Sequence, residues 1–287
     1  MGTKKLLYVG EVIDYSDRWL IESFGKYYHV TICNVAQRQR FGKWRHDIVI
    51  NRLYTSAFQR VGEQRVKEVI QNLYDIEESS APVINSPRAY ELDIDRLSQF
   101  SYFSAKGLPF IPTVRLVKQL PCDKPLMYPL VLKPNRSGRQ DKLPVFENVM
   151  QLLTFLKSLP SDSAPLVGQP VIHRPECYRT EFVGDLSFTI HQQIEFSPTH
   201  LGLGRRSIVT ADPFLPSFRS QLLESVTAVG ADAFSVEYFM SEDEKNVSAI
   251  IDFNLASNYP QWFVADMARE LREAWLILLE RKLKEAS

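Results

Sequence analysis

The stretch AIIDFNLASNY, residues 249–259, decides the reading of this chain. It opens as an apolar run and then sets Asp252 and Asn254 two positions apart around Phe253. In a strand, side chains at i and i+2 share a face. Asp252 and Asn254 therefore project together, while Phe253 packs on the other side. Two oxygen ligands on one rigid face make a seat for a hard cation such as magnesium. The same pattern also fits a strand end that turns polar residues to water, so the neighbouring segments have to decide.

Working outward, AFSVEYFM (233–240) predicts a strand carrying Glu237, joined to the first by the acidic loop SEDEKN. Far upstream, YPLVLKP (128–134) predicts a strand with Lys133 at its end. A lysine to meet phosphate, plus three oxygen ligands on neighbouring strands, is a nucleotide–metal arrangement.

The remaining pattern sorts into two parts. KKLLYVG (4–10), YHVTICNV (28–35), HDIVINRL (46–53) and APVINSP (81–87) read as strands. Between them lie a helical stretch through Trp19, Leu20 and Phe24, and another over 61–74 with Val66, Val69, Ile70 and Leu73 at helical spacing. Such alternation predicts a parallel, Rossmann-like α/β unit. The missing GxGxxG after the first strand argues against a dinucleotide site. Next comes one helix over about 90–106, stopped by Gly107 and Pro109. The segments 165–172, 178–185 and 186–194 read as strands, the last two as a hairpin around Gly184-Asp185. Helices are expected near 147–158, 214–229 and 262–286. The expected architecture is α/β followed by α+β.

At 287 residues the chain can hold two or three subdomains. Its 34 basic and 34 acidic residues cancel, which gives no support to nucleic-acid binding. No apolar stretch reaches the roughly 20 residues needed to span a bilayer. The start lacks a signal-peptide pattern, and Leu6 breaks the myristoylation pattern. Cys33, Cys122 and Cys177 are too scattered for a disulfide framework or a zinc site. A cytoplasmic protein with no membrane partner is expected.

In order and spacing these segments resemble the ATP-grasp superfamily, in particular its branch of glutathione synthetases and ribosomal-protein glutamate ligases. HDIVINRL is similar to that branch's D-x-hydrophobic-x-x-R strand. VINSPRAYELDIDRLSQFSYFSAKGLPFIPT (83–113) is similar to its Asn-Ser-Pro segment with a basic residue on a helix and a Gly-hydrophobic-Pro exit. YPLVLKP resembles its lysine strand, and GQPVIHRPECYRTEFVGD (168–185) its hinge followed by R-x-x-hydrophobic-V-G-D. IIDFNLASNYP resembles its metal strand. The resemblance covers nearly the whole chain. It implies a Rossmann-like pre-ATP-grasp unit over 1–88 and a two-subdomain ATP-grasp region over 89–287, with a lid-like subdomain at about 120–172.

It also implies an activity: ATP phosphorylates a carboxylate, and an amine attacks the acyl phosphate to form an amide or peptide bond. Cations must then bring two anions together and neutralise developing charge. By position, Glu237, Asp252 and Asn254 would hold magnesium, as two ions, on the ATP phosphates. Arg96, Lys133, Ser137 and Gly138 would contact phosphate. Gln169, Pro170, Val171 and Ile172 would form the hinge beside adenine, with Glu176 as ribose acceptor. Arg179, Arg205 and Arg206 are the catalytic candidates, and Arg52 and Ser257 the substrate candidates. The partners would be a carboxylate and an amine, such as an amino acid or peptide. Relatives often form dimers or tetramers, so a homo-oligomer stays open, although Trp262, Phe263 and Trp275 read as core residues.

The chain departs from the pattern in three places. NRSGRQDKLP (135–144) carries one glycine where relatives have several, with Arg136 and Arg139 as substitute charges. Gln192 and Gln193 stand where an arginine usually ends the strand, which leaves Arg205 and Arg206, expected in the following loop, to take its part. NLASNYPQ replaces the usual Pro-Gly after the metal asparagine. These departures keep two alternatives open: an ATP-grasp kinase acting on a hydroxyl compound, and a nucleotide-binding relative without catalysis.

Overall fold

The computed structural model describes residues 3–37, 46–79, 81–116, 126–136, 143–160, 163–197, 199–209, 213–243, 245–259 and 265–286. Its first part comprises β1 (Lys5–Gly10), α1 (Tyr15–Phe24), β2 (His29–Asn34), β3 (Ile48–Arg52), α2 (Ala57–Val61), α3 (Glu63–Glu78) and β4 (Val83–Ile84). The strands form a four-stranded parallel sheet in the order β2-β1-β3-β4. Strand alternation divides β1 between two cores. Leu6 and Tyr8 pack with Leu20 and Phe24 of α1, while Leu7 and Val9 pack with Val66, Val69 and Leu73 of α3. Both faces are covered, as parallel sheets require.

Two short helices follow, α4 (Pro87–Asp93) and α5 (Arg96–Ala105). The single helix expected over 90–106 is therefore broken. Asp95 accepts from Ser98 N at 3.0 Å and so caps a new helix that begins at Arg96. Gly107, with φ +75°, ends α5.

The rest is antiparallel. β5 (Val114–Leu116), β6 (Leu130–Pro134), β7 (Leu143–Phe146), α6 (Val149–Ser158) and β8 (Leu166–Pro170) make one lobe around a small core of Leu116, Leu130, Leu132, Phe146, Leu152 and Leu156. β9 (Glu176–Val183), β10 (Leu186–Ser197), β11 (His200–Val209), α7 (Pro216–Thr227), β12 (Ala233–Met240), β13 (Val247–Asn254) and α8 (Ala265–Glu285) make the other. One nine-stranded sheet runs through both, β13-β12-β9-β10-β11-β7-β6-β8-β5. At its middle, among the described residues, β11 meets β7 through two residue pairs, His200 with Pro144 and Leu201 with Leu143, flanked by a bond from Val145 N to Thr199 O at 3.1 Å. The hairpin around Gly184-Asp185 forms, with Gly184 at φ +56°. Residues 200–209, expected as a loop around Arg205 and Arg206, form a strand instead, because they pair with β10 from Thr189 to Ser197. Trp275 is fully buried and donates to Tyr259 Oη at 3.0 Å; Trp262 and Phe263 lie outside the described residues.

Asn85 joins the parallel sheet to β12. It sits at φ +59°, a region an asparagine tolerates better than most residues. Its Oδ1 accepts from the amides of Asp232 and Ala233, both at 2.9 Å, and its Nδ2 donates to Ala233 O at 2.8 Å. Asn85→Ala would strand all three groups in a buried place. We expect a loss of about 2–4 kcal/mol in chemical denaturation; a loss within about 0.5 kcal/mol would refute this role for Asn85.

Candidate active site

β13 is the outer strand of the sheet, and its free edge is covered before it reaches the site. Gln99 of α5 is fully buried; its Oε1 accepts from Phe253 N at 3.3 Å, and its Nε2 donates to Phe253 O at 3.1 Å. The Phe253 ring is buried against Phe103 and Phe234. Backbone and ring are thus fixed from one side, which leaves Asp252 and Asn254 facing the other.

On that face the register makes a row. Arg179 of β9 stands opposite Glu237 of β12, and Glu237 opposite Asp252 of β13. One step along, Glu181, Ser235 and Asn254 form a second row. Arg179 Nη1 donates to Glu237 Oε1 at 2.8 Å, its Nε to Glu181 Oε1 at 2.7 Å, and its Nη2 to Ser257 Oγ at 2.9 Å. Burial acts to lower the pKa of Arg179, but Glu181 and Glu237 together raise it further, so the guanidinium is a fixed charge.

The opposing lobe supplies more cations. Alternation along β6 sends Leu130 and Leu132 into the lobe core, and Val131 and Lys133 into the cleft. Lys133 is 9% exposed, and among the described residues no side chain gives its ammonium a hydrogen bond or an ion pair. Burial, and then the nearby Arg96, lower its pKa. Arg96 reaches across with Nη1 on Pro134 O at 2.8 Å and Nη2 3.7 Å from Asp252 Oδ2. Beneath them Asp93 is fully buried, and burial followed by the Asp252 charge pushes its carboxyl well above the ordinary range. Cys177 also faces the cleft, and burial, followed by Glu237, pushes its thiol up to about 12.

These groups share a cleft of about 750 Å³ between the lobes. Arg96, Lys133, Gln169–Ile172, Arg179, Arg206, Glu237, Asp252 and Asn254 all line it. At the hinge, Gln169 is 1% exposed. Its Nε2 donates to Thr113 Oγ1 at 3.0 Å, and that hydroxyl donates to Ile111 O at 3.0 Å. Oε1 is left as an acceptor without a protein partner.

Neither a scan of protein-family models nor a search of curated protein sequences returns a match. Comparison with solved structures does. D-cycloserine synthetase DcsG superposes with a TM-score of 0.66 at 16% identity, covering 97% of this chain and 99% of its own. The ATP-grasp ligase PsnB, complexed with a phosphomimetic variant of its minimal precursor, Mg and ADP, gives 0.66 at 15% identity, with 96% and 99% covered. D-alanine–D-alanine ligase from Bacillus anthracis gives 0.64 at 11%, with 99% of each chain covered. The chain has the ATP-grasp fold. No helix among the described residues is long and apolar enough to cross a membrane.

Several residues expected at the ATP-grasp site stand elsewhere. Arg52 is fully buried; its Nε lies 3.3 Å from Asp17 Oδ1, its Nη2 donates to Ser257 O at 2.8 Å, and it does not line the cleft. Ser257, 2% exposed, serves Arg179 and donates to Ser235 Oγ at 3.2 Å instead of meeting substrate. Glu176 lies on the opposite strand face from Cys177 and Arg179, 3.1 Å from His191 Nε2, and does not line the cleft. Arg205 points away from the cleft that Arg206 lines, because neighbours on a strand alternate. Ser137, Gly138 and Arg139 lie outside the described residues. Arg136 pairs with Asp95 at 3.4 Å and Glu63 at 3.6 Å.

Other residues in or beside the cleft were not foreseen. Glu181 sits two positions after Arg179, and that spacing signals a shared strand face. Glu195 lines the cleft along with Gln192 and Ile194, which strict alternation forbids; a register shift between Gln192 and Ile194 permits it and leaves no sequence signal.

Proposed function

We propose that this protein is an ATP-dependent carboxylate–amine ligase. Residues 1–88 are read as a Rossmann-like pre-ATP-grasp unit, 89–287 as the ATP-grasp region, and about 120–172 as its lid. The observation that carries the proposal is the Arg179–Glu237–Asp252 row, with Asn254 beside it, facing Lys133 and Arg96 across one cleft. Two carboxylates and an amide on one face suit magnesium, which takes few protein ligands and keeps water and phosphate oxygens. Bound there by Glu237, Asp252 and Asn254, magnesium would supply positive charge against the phosphates. Lys133 from the other lobe and Arg96 from the start of α5 would hold the triphosphate, consistent with the ammonium of Lys133 having no side-chain partner among the described residues. Arg179, already fixed by Glu181 and Ser257, would hold the reacting carboxylate. That carboxylate attacks the γ-phosphorus and releases ADP; the amine then displaces phosphate and loses a proton.

Arg206 stands opposite Gln192 on β11. We infer that it brings from the next strand the charge that relatives carry at the position of Gln192. D-cycloserine synthetase, PsnB and D-alanine–D-alanine ligase are ligases by their names, which supports ligation over phosphorylation of a hydroxyl. ADP release over pooled acids and amines, followed by mass measurement, tests this. An amide product supports it, whereas a stable phosphate ester, or no ADP release at all from folded protein, overturns it.

Adenine would lie at Gln169–Ile172, with its amino group donating to the unsatisfied Oε1 of Gln169. Inosine triphosphate presents a carbonyl there and would repel it. ATP should therefore bind about tenfold to a hundredfold more tightly than inosine triphosphate, and Gln169→Leu should remove most of that difference. Calorimetry showing equal affinities in the parent protein would contradict this placement.

A further inference from the structure

One wall of the cleft is not used by the residues assigned to nucleotide. Tyr54, Thr55 and Ser56, after β3, and Ala256 and Asn258, after β13, border it beside Asn254. The bond from Arg52 Nη2 to Ser257 O, 2.8 Å, holds these two segments together. Ser56 is 2% exposed, and its hydroxyl has no partner among the described residues. Tyr54 differs, because its hydroxyl is engaged by Asp14 at 2.7 Å and Asp17 at 3.2 Å. Buried hydroxyls in native proteins are nearly always paired. One that lines a cleft and lacks a protein partner is placed to pair with what enters.

The charges near this wall narrow what can enter. Arg52 is sealed against Asp17. Arg60, on α2, is held by both oxygens of Glu11, at 2.7 and 2.6 Å. The nearest cation in the cleft, Arg179, bonds Ser257 Oγ at 2.9 Å but is already paired with Glu181 at 2.7 Å and Glu237 at 2.8 Å, and the reacting carboxylate is assigned to it. A second carboxylate or a phosphate seated here would lose water and gain no free counter-charge. A hydroxyl or carboxamide loses far less, and a serine hydroxyl can either donate to it or accept from it.

We propose that Ser56 and Thr55 form a neutral polar subsite that receives an uncharged hydrogen-bonding group, a hydroxyl or a primary carboxamide, of the substrate carboxylic acid. This rests on the ligase reading, since it takes the substrate's reacting carboxylate to lie at Arg179. The substrate class is thus a hydroxy acid or an amide of a dicarboxylic acid, and not a dicarboxylate.

Ligand-observed NMR on protein saturated with magnesium and a non-hydrolysable ATP analogue tests this. The probes are 3-hydroxypropionate, malonamate, propionate and malonate. We expect the first two to bind about tenfold more tightly than the last two, and Ser56→Ala to erase that preference while the calorimetric affinity for the ATP analogue stays unchanged. Malonate binding as well as malonamate, an unchanged ranking in Ser56→Ala, or no probe binding to nucleotide-loaded protein would each overturn the subsite and leave the nucleotide site standing. Failure of the ATP analogue itself to bind would instead overturn the ligase reading, and the subsite with it.

Discussion

Asp252→Asn is expected to lower ATP-dependent turnover by about 10²–10³-fold, the usual cost of removing one well-placed charge-stabilising group from a reaction centre. The substitution nearly preserves shape. It should also preserve the fold, because β13 is positioned by Gln99 on its edge and by the buried Phe253 ring, neither of which touches the Asp252 carboxylate. That carboxylate is partly exposed, and its ion-pair partner, Arg96 Nη2, is 3.7 Å away. Its charge therefore contributes little to stability. The predicted loss should appear together with weaker binding of magnesium–nucleotide and an unchanged denaturation midpoint. Equal turnover and equal magnesium dependence in the variant would show that the Glu237–Asp252 pair does not serve the chemistry.

Arg52→Met should instead destabilise the fold, by about 3–5 kcal/mol, the range found when one partner of a buried ion pair is removed. Arg52 and Asp17 both have zero side-chain exposure. Asp17 also accepts from Tyr8 Oη at 2.6 Å, and the Arg52 guanidinium lies 5.4 Å from the centre of the Tyr259 ring. Without the cation, Asp17 would stay charged in a dry place with only neutral hydroxyl donors, Tyr8 at 2.6 Å and Tyr54 at 3.2 Å. Urea denaturation measures the loss. Adding Asp17→Leu to Arg52→Met should recover much of it, since two apolar groups leave no orphaned charge. A loss below about 1 kcal/mol in the single variant would mean that water reaches this pair.

The contrast between these residues shows what a linear sequence carries. Asp252 and Asn254 were legible because strand periodicity is local: two residues apart means one face. The pairing of Glu237 with Asp252, residue against residue, was not, since register depends on how two strands meet. Arg52 read as a free cation at a strand end because its partner, Asp17, is 35 positions away on α1. The positions of Glu176 and Arg205 off the cleft are illegible for a different reason: periodicity places the start of β9 two residues late and gives no strand over 200–209, and with strand position unknown the facing side is unknown as well. The break between α4 and α5 had a legible signal, Asp95 ahead of Ser98, which the apolar spacing across 90–106 obscured.

The narrow contact between β11 and β7 has a consequence for access. Among the described residues the ladder narrows here to two residue pairs with one flanking bond, Val145 N to Thr199 O at 3.1 Å, and narrows to two pairs again between β7 and β6; apart from the ladder, Arg96 on Pro134 O and Asn135 on Asp95, both at 2.8 Å, tie the halves. Since each backbone bond contributes only about 0.5–1.5 kcal/mol net, thermal motion can part that seam at modest cost. This seam lies beside the cleft, which Leu143, His200 and Leu201 all line.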